Sequence, residues 1–400
     1  MAHAIWLFIV AILLGGAYVL LARKLIRPAP FGRRGKWVAR AVLAVLLALP
    51  AVEMVLSHAP WGFDCIVLDW AGFLALGFLS FVVTGILVVE LVRLPFVLGR
   101  KIRGLFRVGR GHVHTARETV QGSRTSLVVN AVNVGILVLA SAATGYGVYE
   151  ARRSPAVEEI DVPIPHLPRG LEGFRIVQVT DLHVGLTVRR DFIERVVETV
   201  SELRGDVLVL TGDLADGPVS CLHDDVRPFA RLSPPHGKFF VTGNHEYYSG
   251  VQQWVEEARR LGFTILHNDH RVLERANGRL ALAGVPDENG GFFDPLHRPD
   301  PAAALAGAPP ADVRILLAHQ PQSLYAALPC GYDLMITGHT HGGQFLPWSF
   351  FAAMVQPHIA GLHRHGGMWV YVGRGTGYWG PPVRLGARSE IAVLRLKAVP

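Results

Sequence analysis

Residues 333–345 read DLMITGHTHGGQF. An apolar run that fits a buried strand ends at Gly338, and His339, Thr340 and His341 follow before two more glycines and Gln344. In an extended segment the side chains at i and i+2 point to the same side, so His339 and His341 can face one site. The glycines lack a Cβ, which lets the backbone turn sharply and lets a metal or a phosphate approach closely. The same design recurs upstream. FRIVQVT runs into Asp181, Leu182 and His183, DVLVLT into Gly212 and Asp213, KFFVT into Gly243, Asn244, His245 and Glu246, and VRILLA into His319. LALAGV, MWVYVG and EIAVLRL add strand patterns, and the amphipathic stretches 189–204 and 250–262 fit helices between strands. This is the pattern of an α/β protein, whose ligands bind beyond the carboxyl ends of the strands.

These strand ends supply carboxylates, imidazoles and an amide without a thiolate. That mixture suits manganese, iron or zinc in N/O coordination. Seven candidate ligands exceed what one tetrahedral ion can use, so two divalent ions are expected. A pair of ions lowers the pKa of a bridging water, presents it as hydroxide in line with phosphorus and neutralises phosphoryl charge.

DLHVG, GDLADG, GNHE, LLAHQP and GHTHGGQ, in that order and each after a strand, resemble the motifs of the calcineurin-like metallophosphoesterases. Any one of them alone is more often a turn than a site, but five in order are far more specific. The resemblance covers about residues 172–398, and the ending GRGTGYWGPPVRLGARSEI is similar to the membrane-anchored bacterial branch. It implies a four-layer α/β/β/α sandwich and a metal-dependent phosphoric ester hydrolase. It further implies that Asp181, His183 and His341 hold one ion, that Asn244, His319 and His339 hold the other, and that Asp213 bridges them. His245, by the same resemblance, is not a ligand but the catalytic residue facing the leaving group.

The first 150 residues are of another kind. Half of the 400 residues are hydrophobic and the mean hydropathy is positive, too apolar for an ordinary soluble enzyme of this size. Residues 4–22, 37–57, 65–92 and 126–148 form four long, nearly uncharged runs, each able to cross roughly 30 Å of hydrocarbon as a helix. Seven basic residues from Arg23 to Arg40 crowd the first connection and eight from Arg93 to Arg124 the third, whereas SHAPWGFD between the second and third runs has none. By the positive-inside rule the first and third connections are cytoplasmic, which puts both termini and the hydrolase outside a bacterial inner or plasma membrane. The start, MAHAIWLF, lacks the basic region of a cleavable signal peptide, so the first run is expected to stay as an anchor. The expected organisation is a four-helix membrane domain over 1–149, a charged and proline-rich linker over 150–172, and the α/β domain over 173–400.

Of 39 Lys and Arg residues 15 precede residue 150, with only 5 of 32 Asp and Glu, so the excess positive charge belongs to the membrane half. It points to anionic lipid head groups rather than to a nucleic acid. Cys65, Cys221 and Cys330 are too scattered for a disulfide framework or a zinc knuckle, and a Cys221–Cys330 bridge and two buried thiols fit equally. Glu53, Asp69 and Glu90 are costly where they face lipid, and Asp69 lies deepest. His363 and His365 read as rim or structural residues, and His112, His114, His267 and His270 as residues of solvated loops.

FLPWSFFAAMV, residues 345–355, follows the histidines and is unusually apolar. It reads either as a core-packing helix or as a lip that dips into a bilayer and admits a phospholipid or lipid-linked phosphate. An envelope lipid phosphoester is therefore the expected substrate. A UDP-diacylglucosamine-type pyrophosphohydrolase is less favoured, because the short stretch between His319 and His339 leaves little room for an acyl-capping insertion. A non-catalytic metal-binding sensor or scaffold module is the other alternative, and nothing in the ligand set argues for loss of activity.

Overall fold

The structure, a computed structural model, describes residues 2–57, 66–105 and 117–399 and divides into two compact units, Met1–Tyr146 and Gly147–Pro400. The first unit is helical, with α1 (Ala2–Leu21), a π-helical turn (Ala22–Ile26), α2 (Arg33–Ser57), α3 (Ile66–Leu105) and the start of α4 (Arg117–Arg152). Leu43, Leu79, Val82, Ile86 and Ile136 are buried, while Val45, Leu87, Leu91, Val134 and Leu139 are exposed. Helices that are apolar outside as well as inside suit a hydrocarbon surround, because each of them satisfies its own backbone. Among the described residues three helical stretches are long and apolar enough to cross a membrane, Arg33–Val52, Ile66–Gly99 and Leu127–Arg152, against the four expected. The first run does fold into α1, but the side chains of residues 2–11 lie outside the described set.

The second unit is built on two six-stranded sheets. The strands are β1 (Ala156–Pro165), β2 (Arg175–Val179), β3 (Val207–Thr211), β4 (Lys238–Val241), β5 (Thr264–Ile265), β6 (Asp269–Arg275), β7 (Gly278–Gly284), β8 (Val313–Leu317), β9 (Leu334–Thr337), β10 (Gly361–His365), β11 (Met368–Val372) and β12 (Glu390–Val399). Their orders are β1-β12-β2-β3-β4-β5 and β10-β11-β9-β8-β7-β6. β2 to β5 run parallel, as do β7, β8, β9 and β11. The sheets pack face to face: Ile176, Val209 and Phe239 of one share a buried layer with Leu282, Ile315 and Ile336 of the other. Helices Arg190–Glu202 and Val251–Arg260 cover the first sheet through Phe192, Val196 and Trp254. Ala304, Leu324 and Ala327 cover the second. This is the four-layer α/β/β/α sandwich. A Leu→Ala change in the shared layer costs about 2–5 kcal/mol, a large part of the stability of an average domain.

Three expectations need correction. The stretch 150–172 is no linker, since β1 pairs with β12 along ten residues and buries Val162 and Ile164. Its charges and prolines belong to an edge strand, where Pro163 and Pro165 omit hydrogen bonds the ladder does not need and Glu159 and Asp161 meet Arg395. Cys221 and Cys330 are free thiols and neither is buried. His270 lies in β6 with Nδ1 2.9 Å from the Ala304 carbonyl, rather than in a solvated loop. Cys65, His112 and His114 lie outside the described residues, as does the side chain of Glu53. Asp69 is 5 % exposed.

Candidate metal centre

β2, β3 and β4 of one sheet and β8 and β9 of the other deliver their carboxyl ends to one place. Gln178 ties the sheets there, donating to Thr211 Oγ1 at 2.7 Å and to the Thr337 carbonyl at 2.9 Å. Just past the strand ends the backbone of Asp181, His183, Asp213, His339 and His341 takes positive φ, between 51° and 70°. For residues with a Cβ each such turn costs of order 1–3 kcal/mol, and it persists only where the surroundings enforce it. Among the described residues, half of the ten non-glycine residues with positive φ are therefore candidate ligands, which marks the site independently of any motif.

All seven expected ligands are brought together. Donor atoms of Asp181, His183 and His341 lie within 4.8 Å of one another, and so do those of Asp213, His319 and His339 and those of His183, Asp213 and His245. Asn244 joins the second group, with Oδ1 3.2 Å from His319 Nε2. Asp213 and His183 each belong to two of the groups.

The donors fit a cation on their own chemistry. His319 Nδ1 lies 2.8 Å from the Thr211 carbonyl, to which it donates; burial alone would lower the ring's pKa, but Asp213 and Asp181 raise it well above the usual histidine range, so without a metal Nε2 carries a proton as well. Nε2 faces Asp213 Oδ2 at 3.0 Å, Asn244 Oδ1 at 3.2 Å and His339 Nδ1 at 3.2 Å, where a metal ion would take the place of that proton. His183 Nε2 and His341 Nε2 likewise meet at 2.9 Å. Converging electron pairs of this kind repel unless a proton or a metal ion lies among them. Burial, with His319 beside it, pushes His339 down to about 3, and burial with His183 and Arg384 beside it holds His341 well below the usual histidine range. Both are thus neutral imidazoles, the form that binds a metal.

Three functional residues escape a reading of the sequence. Asp216 Oδ1 lies 2.8 Å from both His183 Nδ1 and His245 Nδ1. It fixes two rings at once, and against the desolvation that would raise it, the two histidines bring its carboxyl down to about 2. For His245 burial alone would lower the pKa, but Asp213 and Asp216 overcome it and raise it to about 9. Glu246 is fully buried and accepts the N–H groups of Asp213, Leu214 and Gly243, at 3.0, 2.7 and 2.6 Å, which clamps two metal-site loops together. Arg384 is fully buried and donates to the carbonyls of His341, Gly377 and Ala387, and its Nη2 lies 3.1 Å from His341 Nδ1. Asp216 and Glu246 stand inside the quoted motifs; Arg384 carries no local signal beyond its place in the C-terminal stretch.

The glycine before the histidines has a geometric reason. A Cβ on Gly338 would collide with Asp181 Oδ2 and Thr180 Oγ1. Gly338→Ala should displace the Asp181 carboxylate and weaken divalent-metal retention by about 10–100-fold, as loss of ligand support does elsewhere. Equilibrium dialysis against manganese would read the change, and unaltered retention would show that the close approach is unimportant.

The helix Trp348–Val355, read as either core or lip, buries none of its side chains. Phe350, Phe351, Met354 and Val355 are 61, 52, 69 and 67 % exposed. Trp379 and Tyr248 pack their rings 5.7 and 5.3 Å from that of His245, and Phe293 continues the rim 5.8 Å from Tyr248. His363 stacks on His358 at 3.7 Å and His365 Nε2 meets His358 Nε2 at 2.6 Å, a cluster tied to the metal loop where Thr340 Oγ1 donates to the Ile359 carbonyl.

Residues 174–343 match the calcineurin-like phosphoesterase family. A zebrafish (Danio rerio) protein named transmembrane protein with metallophosphoesterase domain is 37 % identical over 335 residues, covering 80 % of this chain and 74 % of its own. Its namesake from cattle (Bos taurus) is 38 % identical over 64 % of this chain and 60 % of its own. An uncharacterised metallophosphoesterase of Helicobacter pylori is 35 % identical over 68 % of this chain and 72 % of its own. With the strand-end donors in place, the chain belongs to the calcineurin-like metallophosphoesterases and is a metal-dependent phosphoester hydrolase.

Proposed function

We propose that this is a membrane-anchored phosphoesterase with a dinuclear site, acting outside the cytoplasm on a phosphomonoester or phosphodiester of an envelope lipid or lipid-linked molecule. Asp181, His183 and His341 would hold one divalent ion, Asn244, His319 and His339 the other, and Asp213 both. When bound, such ions supply an activated water and neutralise the phosphoryl oxygens. The chain's own groups supply the rest. Asp216 orients His183 and His245 through their Nδ1 atoms. His245, as imidazolium, gives a proton to the departing oxygen.

The observation that carries the lipid reading is the exposed apolar helix Trp348–Val355, which follows closely on the last metal-site glycines, together with Trp379 at His245. Phe350, Phe351, Met354 and Val355 stand largely in water, and burying each such side chain fully is worth about 1.5–3 kcal/mol. A bilayer or an acyl chain supplies that burial beside the reacting centre. Between His319 and β9 the chain forms only helical pieces of three or four residues, which leaves no acyl-capping insertion of the sugar-nucleotide type.

The test is release of phosphate or head group from a panel of membrane lipids by the purified, manganese-loaded protein. Hydrolysis of at least one lipid phosphoester is expected. In a Phe350→Ser/Phe351→Ser/Met354→Ser variant the ratio of lipid to bis-p-nitrophenyl phosphate turnover should fall about tenfold or more, from the lost apolar contact. An unchanged ratio would remove the lip from substrate recognition.

A further inference from the structure

The helical unit holds a polar site that hydrolysis does not use. A cavity of ≈ 380 Å³ lies between the π-helical turn after α1, α3 and α4, and Arg23, Lys24, Arg27, Arg93 and Glu90 line it. Four cationic side chains thus meet one carboxylate, the sole acid in the lining among the described residues. Glu90 Oε1 is already shared, 2.8 Å from Lys24 Nζ and 3.7 Å from Arg93 Nη1. The surplus is positive, and it is fixed in place: Asn133 of α4 donates to the Lys24 carbonyl at 2.8 Å, pinning the π-helical turn beside which the cations gather. Turns of this kind recur at functional sites.

The rest of the lining is apolar, with Ile86 and Val132 among it. Arg93 lies within the bilayer-length stretch Ile66–Gly99 and Val132 within Leu127–Arg152, so the cavity sits where hydrocarbon gives way to head groups. Guanidinium groups bind phosphate bidentately, and an apolar wall beside them takes up a chain. A free phosphate would satisfy the cations and leave the apolar wall bare. We propose that this cavity binds the phosphate head group of an anionic phospholipid, with Arg23, Arg27 and Arg93 on the phosphate and an acyl chain along Ile86 and Val132. Cation-rich pockets between spanning helices on the cytoplasmic side are a known form of such recognition.

The test uses the full chain in phosphatidylcholine nanodiscs doped with phosphatidylglycerol or cardiolipin, followed by native mass spectrometry of the lipid retained. The protein should retain the anionic lipid over phosphatidylcholine by about tenfold or more, and Arg23→Gln/Arg27→Gln/Arg93→Gln should weaken retention about fivefold per charge removed. Equal retention of phosphatidylcholine, or no loss in the triple variant, overturns the proposal. So does an equal loss in Arg33→Gln/Arg34→Gln/Arg40→Gln, which removes as many charges from the first connection outside the cavity and would show diffuse attraction. Complete displacement by millimolar inorganic phosphate would make the occupant a soluble anion and overturn the lipid assignment. Should the cavity variant fail to fold, thermal stabilisation of the unaltered protein by phosphatidylglycerol and not by phosphatidylcholine decides the matter, and its absence counts against the site.

Discussion

Asp213→Ala should remove essentially all turnover of bis-p-nitrophenyl phosphate in the presence of manganese. Oδ2 of this residue lies 3.0 Å from His319 Nε2 and 3.6 Å from His183 Nε2, so it is the carboxylate common to the donor groups on either side. Oδ1 accepts the backbone N–H of His245 at 2.9 Å, which positions the proposed proton donor as well. A metal ion acting on a phosphoryl group supplies several kcal/mol of transition-state stabilisation. At about 1.36 kcal/mol per decade, loss of that term corresponds to about 10³–10⁴-fold in rate. The change should not unfold the domain. Against burial, His319, His245 and His183 hold the Asp213 carboxyl well below the usual carboxylate range, so its charge contributes stability at neutral pH and the metal-free variant should melt at a lower temperature while still folding cooperatively. Calorimetry and metal analysis on the same sample separate the two effects. A variant that keeps a tenth of the activity, or that loses activity only by unfolding, would remove Asp213 from the centre of the mechanism.

The strand ends were legible in the sequence because buried parallel strands read as short, continuous apolar runs, and each of β2, β3, β4, β8 and β9 stops at a polar motif. The candidate ligands followed from those stops. What the sequence hid was of three kinds. β1 alternates charge and proline with two buried aliphatics, and that pattern reads as linker until β12, at the far end of the domain, is placed beside it. Asp216, Glu246 and Arg384 act through second partners, and a motif shows a residue's type but not which backbone groups it will reach. Trp348–Val355 is too short for its period to distinguish core from surface, and only its exposure shows that no core covers it. The five positive φ angles at the candidate ligands could not be read from sequence either, since Asp and His visit that region more often than most side chains but still only in a small minority of cases.

His245→Ala should separate chemistry from metal binding. The ring belongs to one of the three donor groups, so geometry alone allows it as a ligand. Its Nδ1, however, is taken up by Asp216 Oδ1 at 2.8 Å, and Asp213 and Asp216 outweigh burial to raise its pKa to about 9, so the metal-free ring holds a proton it can donate at neutral pH. A proton donor to a leaving group contributes typically about 10²–10⁴-fold, and a loss in that range is expected in kcat with metal content within about twofold of the unaltered protein. The effect should shrink for esters with acidic leaving groups, such as p-nitrophenol, which depart without a proton. Asp216→Asn should retain the ring but move the alkaline limb of kcat/KM to lower pH, because it removes one of the two carboxylates that hold the proton on His245. Metal analysis beside a leaving-group series decides between the roles: if manganese content collapses in His245→Ala and the loss is the same for every leaving group, His245 is a ligand and the proton must come from elsewhere.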